Sequence, residues 1–166
     1  MERIRTMDLF QEVIILLVED DRGDQKLVAK ALSSDRIANE LRVADSAEDA
    51  VAYLRRSQEG DTQSPFPDLI LLDLNMPGMG GQEFLRWLKS EPGLASIPVV
   101  ILTTSDAEKD IIESFKFQAA GYIKKPGSLE GFHEVLHNVT GYWFVICKRA
   151  PHADEYRQRA NMCPAG

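Results

Sequence analysis

Five short strand-like runs, separated by amphipathic stretches, organise the chain from residue 13 to about residue 140. Each run is six to eight residues long, which is the length of a strand rather than of a buried helix. The first run is continuously aliphatic, as in a strand that is covered on both faces. The predicted strands are VIILLV (13–18), ELRVAD (40–45), DLILLD (68–73), IPVVILTT (97–104) and AAGYIKK (119–125).

In the segments between these runs, apolar residues recur at the spacing of an amphipathic helix. Ser46 with Asp49, and Ser105 with Glu108, form candidate capping boxes at two helix starts. The polar, proline-containing stretch 57–67 predicts a loop. The predicted helices are GDQKLVAKALSS (23–34), SAEDAVAYLRR (46–56), GQEFLRWLKS (81–90), one from 105 to about 118, and one from 128 to 149.

Strict alternation of strands and helices predicts an α/β fold of the (βα)5 type. Its core is a doubly wound, parallel, five-stranded sheet with helices on both faces. In such sheets, functional residues gather where the strands end, at their carboxyl edge. The residues that follow each strand are therefore the first candidates for a site.

Charged and hydroxyl side chains stand at the ends of four of these strands. They are Glu19, Asp20 and Asp21 after the first strand, Asp73 at the end of the third, Thr103 and Thr104 at the end of the fourth, and Lys124, Lys125 and Pro126 after the fifth. Carboxylates that share one edge repel one another. A divalent cation with oxygen ligands, such as Mg²⁺, and a lysine from a neighbouring strand would offset that charge.

Each of these residues alone also has a purely structural interpretation. Asp20 and Asp21 are as well explained as caps of the next helix. Thr103 alone is an ordinary β-branched strand residue, and Lys125 with Pro126 is a turn. The combination is more specific than its parts, because complementary groups follow several strands in one order.

Composition narrows the class of protein. The chain has 166 residues, 44% of them hydrophobic and 27% charged, as expected for one globular domain. A net charge of −7 argues against a nucleic-acid partner. Two cysteines, Cys147 and Cys163, are too few for a disulfide framework.

No apolar run is long enough to span a membrane, and residues 1–12 do not form a signal peptide, so we expect a cytoplasmic protein.

Four motifs together give the chain a family resemblance. VEDDRGD, ILLDLNMPGMGG, VVILTTS and GYIKKPGSLEGF resemble, in order and spacing, the receiver domain of two-component response regulators. The resemblance implies the flavodoxin-like, CheY-like form of the fold over residues 13–140. Residues 1–12 would be an N-terminal extension, and 141–166 a C-terminal extension of the last helix and a tail, without an effector domain.

The resemblance assigns a role to the aspartate that ends the third strand. Asp73 would be the phosphoacceptor, which takes a phosphoryl group from a kinase histidine. Asp20 and Asp73 would bind Mg²⁺ through carboxylates and Asn75 through its backbone carbonyl. Glu19 would reach the metal through a water molecule.

Two further groups are implied to respond to phosphorylation. Thr103 would turn its hydroxyl to a phosphoryl oxygen, and Lys125 would pair with the carboxylate before transfer and with the phosphate after it. In this family the bond between Lys125 and Pro126 is cis. Tyr122 would be the aromatic switch residue, although a packed strand aromatic explains it nearly as well. Asp21 would lie just outside the pocket.

The functional prediction is a single-domain response regulator that signals through phosphorylation-dependent protein–protein interaction, and not an enzyme. Its partners would be a sensor histidine kinase, for which the resemblance favours a phytochrome-type photoreceptor, and an unknown downstream protein. Nucleic acid and membranes are not expected partners.

The apolar segment late in the predicted last helix indicates a homodimer. Tyr142, Trp143 and Phe144 would form its interface, because one helix face buries only part of such a run against its own sheet. The alternative is that the tail folds back over its own domain and covers these aromatics.

Four other functions are alternatives. The protein could be a phosphorelay intermediate that passes phosphate to a histidine phosphotransfer protein, or a degenerate receiver that serves as a scaffold. A haloacid-dehalogenase-like phosphatase needs a second aspartate two residues after its nucleophile, where this chain has Asn75. A DNA-binding regulator needs an effector domain, and the tail after Arg149 is too short for one.

Overall fold

A computed structural model describes residues 12–33, 39–104, 116 and 118–141 of the chain. Within these residues, five parallel strands form one sheet in the order β2-β1-β3-β4-β5. The elements are β1 (Val13–Val18), α1 (Arg22–Ser33), β2 (Asn39–Ala44), α2 (Ala47–Gln58), β3 (Leu69–Leu72), α3 (Gly81–Ser90), β4 (Val99–Thr103), β5 (Gly121–Lys124) and α4 (Leu129–Gly141). The predicted α/β fold with a parallel five-stranded sheet is confirmed.

Two apolar clusters form the core, one on each face of the sheet. Alternate residues of β1 point to opposite faces: Leu16 and Val18 join the cluster that contains α2 and α3. Ile15 and Leu17 join the cluster that contains α1 and α4. Because both faces are covered, the central strands carry apolar side chains at nearly every position, which is the pattern that predicted them.

The strand register brings the candidate residues to one edge. Val18 pairs with Leu72 across β1 and β3, so the residues that follow them, Glu19 and Asp73, are neighbours. Thr103 pairs with Lys124 across β4 and β5. The chain leaves β1 for β2 on one side and returns to β3 on the other, so the strand order reverses between β1 and β3, where α/β sheets bind ligands.

Helix starts follow the expected capping chemistry. The Ser46 side chain accepts a hydrogen bond from the Asp49 backbone N–H, which confirms one half of the predicted capping box. Asp21 begins α1 in the same way, since its Oδ1 accepts from the Asp24 backbone N–H at 2.8 Å. The structural interpretation of Asp21 as a helix cap is therefore confirmed.

The predicted boundaries were too long for three strands. The third spans Leu69–Leu72 instead of residues 68–73. The fourth begins at Val99 instead of residue 97, because Pro98 has no N–H to donate to a ladder. The fifth begins at Gly121 instead of residue 119. The predicted helix from 105 to about 118 lies almost wholly outside the described residues, as does the last helix beyond Gly141.

The cis bond expected between Lys125 and Pro126 is wrong for this structure, where no peptide bond of the described residues is cis. The trans form is also the intrinsically preferred isomer of such bonds. Among the same residues, no helix is long and apolar enough to cross a membrane.

Candidate functional site

Three carboxylates converge where β1 and β3 end. Glu19, Asp20 and Asp73 each offer an oxygen, and these oxygens lie within 4.8 Å of one another. Glu19 and Asp73 are buried, whereas Asp20 is exposed. An all-oxygen donor set that is open to solvent on one side fits a hard divalent cation that keeps part of its water shell.

Lys125 supplies the positive charge at the centre of this cluster. Its Nζ donates to Glu19 Oε2 at 2.6 Å, to Asp24 Oδ2 at 2.6 Å and to Asp73 Oδ2 at 3.2 Å. The side chain is only 6% exposed. Desolvation alone would lower the pKa of Lys125, but the hydrogen bonds to Asp24 and Glu19 and the charge of Asp73 outweigh it, so the pKa lies above its ordinary value. The ammonium therefore stays charged.

The Glu19 side chain lies in a buried environment that disfavours its charged form. Burial raises the pKa of its carboxyl from 4.5 to about 7; the hydrogen bond from Lys125 opposes this rise, and the charge of Asp73 adds to it. A nearby cation would favour the ionised form. Burial is therefore the main reason why the pKa of Glu19 is raised.

The loop that follows β3 is held by backbone geometry. The Asn75 backbone N–H donates to Asp73 Oδ1 at 3.0 Å, which fixes the orientation of the Asp73 carboxylate. Gly78 has a φ of +75°, a conformation that few other residues adopt. A Cβ on Gly81 would lie 2.6 Å from Leu74 Cα, so only glycine lets α3 begin this close to the loop.

Glu48 on α2 holds the same loop from outside. Its Oε1 accepts a hydrogen bond from the Met79 backbone N–H at 2.9 Å. That bond is the largest cause that lowers the pKa of the Glu48 carboxyl below 4.5. The side chain is solvent-exposed, so the carboxylate acts as a surface clamp on the loop.

Thr103 and Tyr122 stand on the β4–β5 side of the site. Thr103 is fully buried, and its Oγ1 accepts from Asn75 Nδ2 at 3.0 Å. This bond links the end of β4 to the loop that carries Asp73. Tyr122 is partly buried against the apolar cluster that contains α2 and α3. Its role as a switch residue stays a prediction.

The structure thus brings together the carboxylates Glu19, Asp20 and Asp73 with Lys125, and connects Asn75 to Thr103. Tyr142, Trp143 and Phe144, predicted at a dimer interface, lie outside the described residues.

Sequence reasoning missed two residues that contact this site, Asp24 and Glu48. The one signal for Asp24 was its place in the first turn of the helix that follows β1. The first turn of such a helix lies at the same edge as the strand end.

Comparison with known families agrees with this geometry. The model of the "Response regulator receiver domain" matches residues 15–137. Among curated proteins, the response regulator Rcp1 of Synechocystis is 38% identical over 130 residues, which cover 78% of this chain and 88% of that protein.

Two solved structures are similar over their whole length. The phosphorylated cyanobacterial phytochrome response regulator RcpA superposes with a TM-score of 0.78 at 35% identity, covering 85% of this chain and 100% of that one. The Mn²⁺-bound form of Rcp1 superposes with a TM-score of 0.75 at 36% identity, covering 84% and 99%.

Proposed function

The chain belongs to the response regulator receiver domain family, and on that premise we propose that it accepts a phosphoryl group from a histidine kinase on Asp73. The observation that carries the proposal is the setting of the Asp73 carboxylate. One of its oxygens accepts from the Asn75 N–H and the other from Lys125 Nζ, and it lies within reach of two further carboxylates.

In the proposed reaction, an oxygen of the Asp73 carboxylate attacks the phosphorus of a kinase phosphohistidine. The new P–O bond forms as the P–N bond breaks, and the imidazole nitrogen keeps the electron pair of that bond. The chain contributes orientation and charge rather than a general base, since a carboxylate is already deprotonated for attack.

The residues present fit Mg²⁺ as the cofactor. Asp20 and Asp73 would bind it through carboxylates, Asn75 through its backbone carbonyl, and Glu19 through a water molecule. When bound, the ion neutralises charge on the transferring phosphoryl group. The donor chemistry supports this assignment, because every candidate ligand is a hard oxygen.

Thr103 and Tyr122 would convert phosphorylation into a changed surface. The Thr103 hydroxyl would leave the Asn75 amide and bond a phosphoryl oxygen. Tyr122, on the neighbouring strand, would follow into the space that this movement opens. The changed surface would then be bound by a downstream protein, which makes the protein a signalling component rather than an enzyme.

A phytochrome-type histidine kinase is the proposed donor, in the cytoplasm, because RcpA is a phytochrome response regulator. A homodimer through Tyr142, Trp143 and Phe144 stays a prediction. Light scattering on the full chain and on a version that ends after Asn138 tests it. A full-length chain that is monomeric at high micromolar concentration, with and without phosphorylation, would exclude the dimer.

The phosphatase alternative has no support at the position that would decide it. Asn75 stands where such an enzyme needs its second carboxylate, and the Asn75 amide donates to Thr103. Transfer onward to a histidine phosphotransfer protein uses the same phosphorylated Asp73, and no described contact favours it over signalling.

Phosphoramidate tests the proposal without knowledge of the kinase, because its P–N bond resembles that of phosphohistidine. Intact-mass spectrometry should detect one added phosphoryl group on the wild type with Mg²⁺ and none after chelation. Asp73→Asn should remain unmodified, while Asp21→Asn, which removes a carboxylate that caps α1, should be modified like the wild type. Undiminished modification of Asp73→Asn would refute the assignment.

A further inference from the structure

Lys125 makes an ion pair that lies outside the predicted site. Its Nζ is 2.6 Å from Asp24 Oδ2, as close as it is to Glu19 and closer than its 3.2 Å to Asp73. Two carboxylates other than the candidate phosphoacceptor therefore hold the ammonium most closely.

Asp24 is fixed in this position by the start of α1. Its backbone N–H donates to the capping side chain of Asp21 at 2.8 Å, so the first turn of the helix holds the Asp24 backbone. Its side chain is 29% exposed, against 6% for Lys125. The Asp24 side chain is therefore more exposed than those of Glu19 and Asp73, the other two carboxylates that Lys125 contacts.

We propose that Asp24 is a positioning residue for the Lys125 ammonium. It competes with the phosphoryl group on Asp73 for Lys125 and so lowers the affinity of the site for the phosphoryl group. The inference rests on the proposed function of Asp73. It concerns how tightly the site holds its product, not which residue is modified.

Charge and geometry support this competition. A lysine ammonium has three N–H donors, and all three are used by Glu19, Asp24 and Asp73. A phosphoryl group on Asp73 adds a charge of about −1.5 to −2 at neutral pH. To bind its oxygens, Lys125 must turn toward Asp73 and weaken its bond to Asp24.

Loss of phosphate completes the cycle that Asp24 would influence. A water oxygen attacks the phosphorus, the P–O bond to Asp73 breaks, and the electron pair returns to the carboxylate. Inorganic phosphate leaves, and the water proton goes to it or to solvent. Because Asp24 acts on the phosphorylated state, it would shift the balance toward the free carboxylate.

Beryllofluoride, a phosphoryl mimic that binds aspartate carboxylates, measures the effect by ¹⁹F NMR titration at saturating Mg²⁺. Asp24→Asn should bind it roughly fivefold more tightly than the wild type, because one partly exposed ion pair no longer holds Lys125 back from the mimic. Mg²⁺ alone should bind Asp24→Asn more weakly, because a freed Lys125 competes harder with the cation for Glu19 and Asp73. A variant that is only structurally damaged would bind both more weakly.

Three variants isolate the route through Lys125. Asp24→Glu keeps the carboxylate and should behave like the wild type. Asp21→Asn removes an equal charge from a neighbouring position that does not contact Lys125, and should leave beryllofluoride affinity unchanged. In a Lys125→Gln background, Asp24→Asn should no longer tighten binding, since the ammonium through which it acts is gone.

The outcomes separate this inference from the proposed function. If the wild type binds no beryllofluoride in the presence of Mg²⁺, the proposed function itself fails. If the wild type binds but Asp24→Asn binds equally or more weakly, the inference is overturned. An equal gain in Asp21→Asn, or a gain that persists without Lys125, would overturn it as well.

Discussion

Two loops form the site, and they hold their functional groups by different means. The acidic loop, residues 19–21 between β1 and α1, places Glu19 and Asp20 beside Asp73 and depends on Lys125 for charge balance. The glycine loop, residues 73–80 between β3 and α3, is held by the Asn75 and Met79 backbone N–H groups. Charge organises the first loop, and backbone geometry organises the second.

This difference predicts different sensitivities. The acidic loop should respond to pH, to divalent cations and to any change in Lys125, because its energetics are electrostatic. The glycine loop should respond to lost hydrogen bonds and to added side-chain volume.

Loss of Lys125 should have the largest effect. Lys125→Ala leaves buried carboxylates without their cation and should lower the free energy of unfolding by about 3 kcal/mol in the absence of metal. Urea denaturation at neutral pH measures this. Mg²⁺ should restore part of the loss, because it supplies the missing charge.

The exposed neighbour of Lys125 provides the control. Lys124→Ala removes the same charge from an exposed side chain and should change stability little. Equal destabilisation by the two variants would show that general charge, rather than the Lys125 ion pairs, stabilises the acidic loop.

The raised pKa of Glu19 should make the metal-free protein less stable as pH rises. The folded state holds the Glu19 proton more tightly than the unfolded state, with a pKa of about 7 against 4.5. Between these two values the free energy of unfolding should fall by up to about 3 kcal/mol as pH increases.

Glu19→Gln isolates this contribution, because the amide resembles the protonated carboxyl. Urea denaturation across pH measures the free energy of unfolding of both proteins. The variant should match the wild type near pH 4.5 and should be more stable than the wild type above about pH 7. Parallel pH profiles for the two proteins would mean that Glu19 is not the group that titrates.

Thr103→Ala should have a moderate effect on the link between the two sides of the site. It removes the acceptor of the Asn75 amide and should cost about 1 kcal/mol of unfolding free energy. The variant should still accept a phosphoryl group, but amide shifts in β4 and β5 on addition of beryllofluoride should shrink. Thr104→Ala changes the adjacent exposed position and should show the same amide shifts as the wild type. If the wild type, Thr103→Ala and Thr104→Ala all show identical shifts, Thr103 does not couple phosphorylation to β4 and β5.

Glu48→Ala should have the smallest effect. The variant loses the clamp on Met79, so the Met79 amide should exchange with solvent faster while global stability changes little. Glu83→Ala removes an exposed carboxylate from α3 and should leave this exchange rate unchanged. If Glu48→Ala also leaves the exchange rate of the Met79 amide unchanged, the Glu48 carboxylate does not hold the glycine loop.

The sequence was most informative where function depends on strand ends. Apolar runs identified the strands, and a parallel sheet then required Glu19, Asp20, Asp73 and Lys125 to share an edge. The glycines of the loop after β3 are explained by the structure, through the positive φ at Gly78 and the close backbone approach at Gly81.

Contacts set by helix rotation were not predictable in the same way. The Asp24–Lys125 pair joins residues 101 positions apart, and the Glu48–Met79 bond joins residues 31 apart. Each depends on how a helix packs against the sheet, which the spacing of apolar residues fixes only approximately. The isomer of the Lys125–Pro126 bond came from family resemblance alone, and it was wrong for this structure.

We propose that Asp73, and no other carboxylate of the cluster, carries the phosphoryl group. Sodium borohydride reduces an aspartyl phosphate to homoserine, so peptide mass spectrometry after phosphorylation and reduction locates the modified residue. We expect homoserine at position 73, formed only when Mg²⁺ is present during phosphorylation. Homoserine at position 20 or 24 would contradict it, as would modification that is independent of Mg²⁺.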